Sequence, residues 1–381
     1  MLKLDSPTPF HNVYFSLGSN MGNRFENLQN AVDALFENIG SIVKISSVYE
    51  TPAMGFDGEP FLNCAIWMQT ELAPSKILKK ILEIEKSMGR KRNTTKTYAS
   101  RPIDIDIIFI EELVFKSEKL TVPHPEMEKR KFVLQPLAEL NSQLSHPVSQ
   151  KKIIKILAET TDESVLQKQS KWLSNPMRHF NISGYNYIAI EGNIGAGKTS
   201  LAAKIANDFN SKLILERFKD NPFLPKFYED SARYAFPLEM SFLADRYQQL
   251  VDDIAQFDLF KECVIADYDI NKSLIFAQIT LPEVEFLLYK RLYGVMQKEL
   301  PKPDLYVYLY QNTERLLENI KKRGRKYEQS IEAEYLQKLN LGYLEFIKNQ
   351  HSNNIKIIDI SEMDFLQKRG DYLKILREIF S

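Results

Sequence analysis

Residues 190–200 read Ile-Glu-Gly-Asn-Ile-Gly-Ala-Gly-Lys-Thr-Ser, and the Gly-x-x-x-x-Gly-Lys-Thr loop that starts at Gly192 constrains the chain more than any other feature. In such a loop glycines let backbone N–H groups face phosphate oxygens, a lysine (Lys198) reaches the β and γ phosphates, and a hydroxyl (Thr199) ligates Mg²⁺. The loop requires a strand before it and a helix after it. Tyr187 to Glu191 reads as that strand, and Leu201, Ile205 and Phe209 at helical spacing mark the helix. Gly192, Asn193, Gly195, Gly197, Lys198, Thr199 and Ser200 are therefore the expected contacts to ATP. The loop lies halfway along 381 residues, a length that suits two cores, so a second unit is expected upstream.

The 50 basic and 50 acidic residues cancel, which argues for small ligands and against a nucleic-acid or membrane partner. Cys64 and Cys263 lie far apart in apolar runs and read as buried thiols in a reducing compartment. With no run of 18 uncharged apolar residues and no apolar leader, the expected location is cytoplasmic. Residues 161–183 are polar and without period, and read as a linker between domains at 1–160 and 184–381. No internal repeat relates the halves, so two unlike modules, and two activities, are expected.

In the first half, residues 13–18 alternate as a strand, and Phe25, Leu28, Val32, Leu35 and Phe36 mark one helix face. Strands fit Ile42–Glu50 and Phe61–Thr70, and a helix follows Pro74 and ends near Gly89. Strand, helix, strand, strand, helix, strand is a ferredoxin-like α+β order. The chemical centre is Arg101-Pro-Ile-Asp104-Ile-Asp106, where alternation puts both aspartates on one strand face, about 6.6–7 Å apart along the strand. Such a pair is either merely solvated or shares metal ions. Arg90, Arg92, Arg101, Arg130 and His124 surround it in sequence and favour a polyphosphate with its metals. Residues 93–100 are polar and without apolar period; they read as an ordinary solvated loop or as one that closes over phosphates.

Gly18-Ser-Asn20, Thr51-Pro-Ala-Met-Gly55, Phe61-Leu-Asn63, Glu85 with Gly89-Arg-Lys-Arg92, Arg101 through Asp106, and His124 through Phe132 together resemble the hydroxymethyldihydropterin pyrophosphokinases over residues 11–147. The resemblance implies pyrophosphoryl transfer from ATP to the pterin hydroxymethyl group in folate biosynthesis. It implies two Mg²⁺ on Asp104 and Asp106, and ATP held by Glu85, Arg90, Arg92, Arg101, His124 and Arg130, with Arg90 and Arg101 catalytic. The pterin would lie between Phe61 and Phe132, its edge read by Asn63 and by Thr51 with Pro52. Where the family carries a basic residue four before Arg101, this chain has Thr97, with Lys96 as the substitute.

In the second half, Lys212–Glu216 reads as a strand ending in a carboxylate, Cys263–Asp267 as another, and Asp304–Tyr310 as a third. Acids at the carboxyl ends of strands beside a phosphate loop lie where open α/β sheets bind ligands. The basic run from Glu318 to Glu328 is either a solvated helix face or a lid over the migrating phosphoryl group.

The phosphate loop, Asp220-Asn-Pro-Phe-Leu, Phe-Tyr228-Glu-Asp, Phe-Leu-Ala-Asp-Arg246 and Lys-Arg323-Gly-Arg325 resemble the deoxynucleoside kinases, nearest the deoxyadenosine/deoxyguanosine branch. The resemblance implies a P-loop α/β fold with a parallel sheet, one Mg²⁺ at Thr199, and 5′-phosphorylation of a deoxynucleoside, with deoxyadenosine favoured. Glu216 is then the base, Asp267 and Lys198 are catalytic, and Arg323 and Arg325 clamp phosphates. Tyr228 and Glu328 hold the 3′-hydroxyl, and Glu239 and Arg246 serve the nucleoside. A homodimer through this half is also implied. Two positions depart from the family: Glu239 stands for its base-reading glutamine, and Tyr268 for the arginine after the third strand, with Lys272 as the replacement cation. A carboxylate accepts hydrogen bonds but donates none unless protonated. Phe236, Phe242, Phe276 and Phe286 read as core. Two rival readings follow: the second half as a nucleotide-binding regulatory or dimerisation module, or as a nucleoside monophosphate kinase with Arg233 and Arg246 on the acceptor phosphate.

Overall fold

Val13 to Leu17, buried on both faces, build the central strand of the first sheet. The computed structural model describes residues 10–53, 58–90, 100–217, 221–255, 261, 263–350 and 354–381. The chain divides into two units, Met1–His179 and Phe180–Ser381.

The first unit runs β1 (His11–Ser19), α1 (Arg24–Asn38), β2 (Ser41–Ile45), β3 (Tyr49–Thr51), β4 (Phe61–Thr70), α2 (Pro74–Ser87) and β5 (Asp104–Ile110). A two-strand hairpin, β6 (Phe115–Lys116) and β7 (Thr121–Val122), then leads to α3 (Lys131–Leu140), α4 (Ile153–Glu159) and β8 (Gln167–Lys168). The sheet order is β5-β1-β4-β3-β8, with β2 also on β4. β1 is antiparallel to both β4 and β5, with Gly18 opposite Asn63 on one side and Asp104 on the other. That register brings the loop after β1 to the two aspartates. Helix α1 packs on β1 and α2, and α2 on β5. Tyr14, Ala65 and Phe109 join Val133, Leu134 and Leu137 of α3 and Ile153 and Ile156 of α4 in a second apolar cluster.

Two expectations need correction here. The strand expected over Ile42–Glu50 is two strands, because the Ser46 hydroxyl accepts from the Ala65 N–H at 2.8 Å and donates to the Ser47 carbonyl, interrupting the ladder. The linker expected over 161–183 belongs largely to the first unit. Within it β8 pairs with β3, the Ser174 N–H donates to Gln29 Oε1 at 2.8 Å, and Asn175 Nδ2 donates to the Ile42 carbonyl at 3.0 Å. Polar residues that satisfy an edge carry no apolar period.

The second unit runs β9 (Tyr187–Gly192), α5 (Lys198–Asp208), β10 (Lys212–Ile214), α6 (Leu224–Glu229), α7 (Ser231–Ala255), β11 (Val264–Ala266) and α8 (Asn271–Thr280). It continues with α9 (Glu283–Met296), β12 (Leu305–Tyr310), α10 (Thr313–Arg323), α11 (Ala333–Lys348), β13 (Ile355–Asp359) and α12 (Arg369–Phe380). The sheet is parallel throughout in the order β10-β11-β9-β12-β13. The three inner strands, β11, β9 and β12, are short and buried, as expected where helices cover both faces, while the edge strands β10 and β13 are partly exposed. Phe242 lies in the main apolar cluster, and Phe236, Phe276 and Phe286 pack against it. Both cysteines are free and buried, and burial pushes each thiol up to about 12.

Candidate active sites

At the carboxyl end of β9 the chain turns through the glycine loop into α5. Gly195 (φ +87°) and Gly197 (φ +83°) are left-handed, and a Cβ on Gly197 would lie 2.9 Å from the Phe365 ring, so neither position suits another residue. Lys198 Nζ donates to the Asn193 carbonyl at 3.0 Å, and burial lowers its pKa. Asn193 was expected among the ATP contacts, but its side chain is fully buried and turned away from the loop mouth. Its Nδ2 donates to the Leu336 carbonyl and to Asn340 Oδ1, each at 2.8 Å, tying the loop to α11. Glu191, also fully buried, accepts from the Asp269 N–H at 2.7 Å and from the Tyr343 hydroxyl at 3.0 Å. Sequence reasoning gave neither residue this supporting part. The motif only shows that they precede the loop.

Three neighbouring parallel strands end together, at the loop, at Glu216 and at Asp267. Asp267 joins the three: its Oδ2 accepts from the Thr199 hydroxyl at 2.5 Å and its Oδ1 from the Glu216 N–H at 2.8 Å. Ser200 stands in the first turn of α5. Glu216 Oε1 accepts from Arg246 Nε at 2.8 Å and Nη2 at 2.6 Å, and its Oε2 from Lys272 Nζ at 2.5 Å. Burial alone would raise this carboxyl. Lys272 and Arg246 overcome that effect and hold it well below the ordinary carboxylate range. Arg246 Nη1 also donates to Ser273 Oγ at 2.7 Å. Tyr268, at the place of the expected arginine, is fully buried in the apolar core, and Lys272 carries the second cation on Glu216 instead.

Above this cluster, Gly324 ends α10 in the left-handed conformation at φ +72°. The two arginines beside it converge on Glu328: Arg323 Nη2 donates to Oε2, and Arg325 Nη1 to Oε1 at 3.1 Å. Tyr228 stacks on Tyr327 at 6.0 Å between ring centroids. Burial raises the Tyr228 hydroxyl, and the nearby Glu328 raises it further. Glu239, on α7, is 3% exposed. Its Oε1 accepts from the Thr280 hydroxyl at 3.1 Å, while its Oε2 is buried with no hydrogen-bond partner.

In the first unit Asp104 Oδ1 faces Arg90 Nη1 at 2.5 Å, and its Oδ2 faces Arg101 Nη2 at 3.1 Å. Burial and then the Asp104 charge push the Asp106 carboxyl up. Two like charges this close call for cations between them. Among the described residues no group of three or more His, Cys, Asp or Glu side chains could hold a metal ion. Mg²⁺ rarely needs such a cage, since one or two carboxylates and substrate phosphates suffice. Glu85, expected at ATP, is 2% exposed. Its Oε1 accepts from the Ile105 N–H at 3.0 Å and from Arg90 Nη1, so it places Arg90 and the start of β5. Asn20 does the same for Arg101: Oδ1 accepts from the Arg101 N–H at 2.8 Å, and Nδ2 donates to Ser100 Oγ at 3.0 Å. His124 Nδ1 accepts from the Glu126 N–H at 3.3 Å, which leaves Nε2 as the donor. Burial and Arg130 lower its pKa.

Phe61 begins β4 under the Arg101 guanidinium, 5.8 Å from its centre. Phe132, on α3, lies under that of Arg130 at 5.9 Å. Asn63 Nδ2 donates to Thr51 Oγ1 at 2.7 Å, and Pro52 beside Thr51 is exposed. Arg92, Lys96, Thr97, Met54, Gly55 and Asp220 lie outside the described residues, as does most of the loop at 93–100.

Residues 14–142 match the family described as 7,8-dihydro-6-hydroxymethylpterin-pyrophosphokinase, and residues 188–381 match the deoxynucleoside kinase family. Deoxyguanosine kinase of Bacillus subtilis (strain 168) is 39% identical over 197 residues, 51% of this chain and 95% of that protein. The 2-amino-4-hydroxy-6-hydroxymethyldihydropteridine pyrophosphokinase of Aquifex aeolicus (strain VF5) is 39% identical over 150 residues, 39% of this chain and 92% of that protein. A solved structure of deoxyadenosine kinase from M. mycoides with bound dATP is 26% identical at a TM-score of 0.45, covering 51% of this chain and 99% of that one.

Proposed function

From the premise that this chain belongs to the pterin pyrophosphokinase family over its first half and to the deoxynucleoside kinase family over its second, we propose that it is a bifunctional transferase whose kinase acceptor is a purine deoxynucleoside. The observation that carries the kinase half is the Glu216 carboxylate, held ionised by Arg246 and Lys272, in a residue whose backbone N–H donates to Asp267, the acceptor of the Thr199 hydroxyl in the phosphate loop.

Glu216 takes the proton of the 5′-hydroxyl as that oxygen forms its bond to the γ-phosphorus and the bridging bond to ADP breaks. A weakly basic carboxylate suffices, because the transition state is loose and the hydroxyl grows acidic as the new bond forms. Lys198, Arg323 and Arg325 neutralise the phosphoryl oxygens. Tyr228 and Glu328 hold the 3′-hydroxyl. Mg²⁺, bound through Thr199 and ATP, would supply charge neutralisation at the β and γ phosphates.

In the first unit the same logic applies at the β-phosphorus, attacked by the pterin hydroxymethyl oxygen with loss of AMP. Arg90, Arg101, His124 and Arg130 face the triphosphate, Phe61 and Phe132 enclose the flat ring, and Asn63 with Thr51 meets its edge. Asp104 and Asp106 fit two Mg²⁺: burial and then the Asp104 charge raise the Asp106 carboxyl, and cations between the two carboxylates would favour ionisation of both. The strand order β5-β1-β4-β3 supports reading this unit as ferredoxin-like.

The relative named above as a deoxyguanosine kinase widens the acceptor beyond the deoxyadenosine favoured by sequence. A monophosphate acceptor loses support, since Arg246 is committed to Glu216 and Ser273. A purely regulatory second half has no use for an ionised base. A homodimer is supported by α9, whose Val284, Leu287, Leu288 and Val295 are 50–80% exposed and form one apolar stripe. No helix among the described residues is long and apolar enough to cross a membrane. The test is Mg-ATP-dependent phosphorylation of each of the four deoxynucleosides, with hydroxymethyldihydropterin alongside. Turnover of pterin and of purine deoxynucleosides is expected; pterin turnover with no nucleoside accepted would return the second half to a regulatory module.

A further inference from the structure

Pro301-Lys-Pro303 leads into β12 with two residues that carry a carbonyl but no N–H. The segment forms one lip of a cavity of about 110 Å³ in the second unit. The exposed Lys302, Gln350 and Asn354 mark its mouth, and the buried Asp269 and Tyr306 mark its inner end. It opens beside the amino ends of β12 and β13, whereas the phosphate loop follows the carboxyl end of β9. We infer that this cavity binds a small organic cation, a primary ammonium on a short apolar stem.

The inner end lacks a positive charge. Asp269 is 2% exposed, and its carboxyl is held by neutral donors: the Asn271 N–H at 3.0 Å, the Asn271 amide and the Ile270 N–H. No cation among the described residues pairs with it, and a buried carboxylate without one is costly. The groups beside it offer acceptors. Gln297 Nε2 donates to Asn271 Oδ1 at 3.2 Å, which leaves the Gln297 carbonyl oxygen as an acceptor, and the Tyr306 hydroxyl is buried with no hydrogen-bond partner. An ammonium brings three N–H donors and no acceptor, and so complements this set. Leu300, Phe346 and Ile355 form apolar walls for a stem. An apolar cavity of about 150 Å³ takes up benzene, so this one suits roughly four or five heavy atoms. Lys302 sits at the mouth, where a long side chain keeps its charge in water.

Asp269 also joins the cavity to the phosphate loop. Its N–H donates to Glu191 Oε1 at 2.7 Å, just before the loop, and its carbonyl accepts from the Lys272 N–H at 3.2 Å. Asp267 and Lys272, which hold Thr199 and Glu216, flank it in the same short segment between β11 and α8. An ammonium on Asp269 therefore fixes the segment that orders the loop, and by linkage a bound amine and bound ATP strengthen each other.

The experiment titrates n-butylammonium chloride into the full chain in an amine-free phosphate buffer, followed by isothermal titration calorimetry and thermal unfolding. Sodium chloride, potassium chloride and 1-butanol at equal concentration run alongside. Saturable binding of one equivalent is expected, with the kinase transition raised by roughly 5–11 °C at about a hundred times Kd. ATP should bind at least about fivefold more tightly with the amine present. Both salts and the uncharged 1-butanol should do neither. Asp269→Asn keeps an acceptor for Asn271 and removes the charge, and Gln350→Trp obstructs the mouth without touching the inner end; each should abolish amine binding. Absence of saturable binding, binding that survives both substitutions, or a shift matched by potassium or by 1-butanol overturns the inference. ATP affinity that ignores the bound amine overturns the coupling to the loop. Neither readout needs nucleoside turnover, so failure of the kinase reading is seen separately.

Discussion

Replacing Lys272 by methionine isolates the cation that takes the place of the missing arginine. Its ammonium lies 2.5 Å from Glu216 Oε2, with the two side chains 8% and 12% exposed. A hydrogen bond to a charged group contributes about 1.5–3 kcal/mol. Arg246 remains on the other oxygen, so the loss stays in that range and does not reach the roughly 3–5 kcal/mol of a buried ion stripped of its partner. For a unit of this size about 1 kcal/mol moves Tm by roughly 2–4 °C, which predicts a fall of roughly 3–12 °C in the kinase transition and none in the pterin transition.

The same substitution removes a charge from beside the proposed base and Lys198 of the phosphate loop, and loss of one stabilising group at a reacting centre typically lowers kcat by about 10²–10³. The pH dependence has a defined sign. Glu216 is depressed in the folded state, so its contribution is fully present above the unfolded value of about 4.3 and is lost as pH falls through the folded value. The stability gap between wild type and Lys272→Met should therefore be flat above about pH 5 and narrow in acid. A double-mutant cycle with Glu216→Gln measures the pair directly, with thermal unfolding as the readout. An equal loss of Tm from Lys272→Met in the wild-type and Glu216→Gln backgrounds would refute the pairing.

Gly18→Ala places a Cβ 2.9 Å from Asn63 Oδ1 and 3.4 Å from the Phe61 ring. Overpacking of this kind costs about 1–3 kcal/mol, and it should appear as a raised KM for the pterin with the nucleoside kinase unchanged. Asn193→Ala removes two 2.8 Å hydrogen bonds between the phosphate loop and α11; a raised KM for ATP in the nucleoside reaction alone is expected. Leu288→Glu puts a charge into the exposed α9 stripe; under the proposed pairing through α9, sedimentation velocity should show a dimer for the wild type and a monomer for the variant.

The parts legible in sequence are those with a short-range signature. The phosphate loop declares itself because only glycine tolerates the conformations at 195 and 197. The parallel strands of the second unit show as brief apolar runs, and Asp104 and Asp106 show as alternation on β5. The tasks of Glu85, Asn20 and Asn193 were not legible, since each hydrogen-bonds to groups distant in sequence. Nothing in the spacing of Asn193 and Asn340 announces that they meet. The edge strand at Gln167–Lys168 was read as linker because two exposed polar residues have no period to display. Lys272 was the exception: the loss of an arginine at Tyr268 implied a cation nearby, and the next lysine along the chain is the one on Glu216.

The central claim is that one chain holds two chemically independent active sites, and crossing two single substitutions with two assays tests it most directly. Glu216→Gln should abolish nucleoside phosphorylation and spare pterin turnover, while Asp104→Ala should do the reverse, each in protein whose circular dichroism and melting match the wild type. Loss of both activities from either substitution in folded protein would contradict the account.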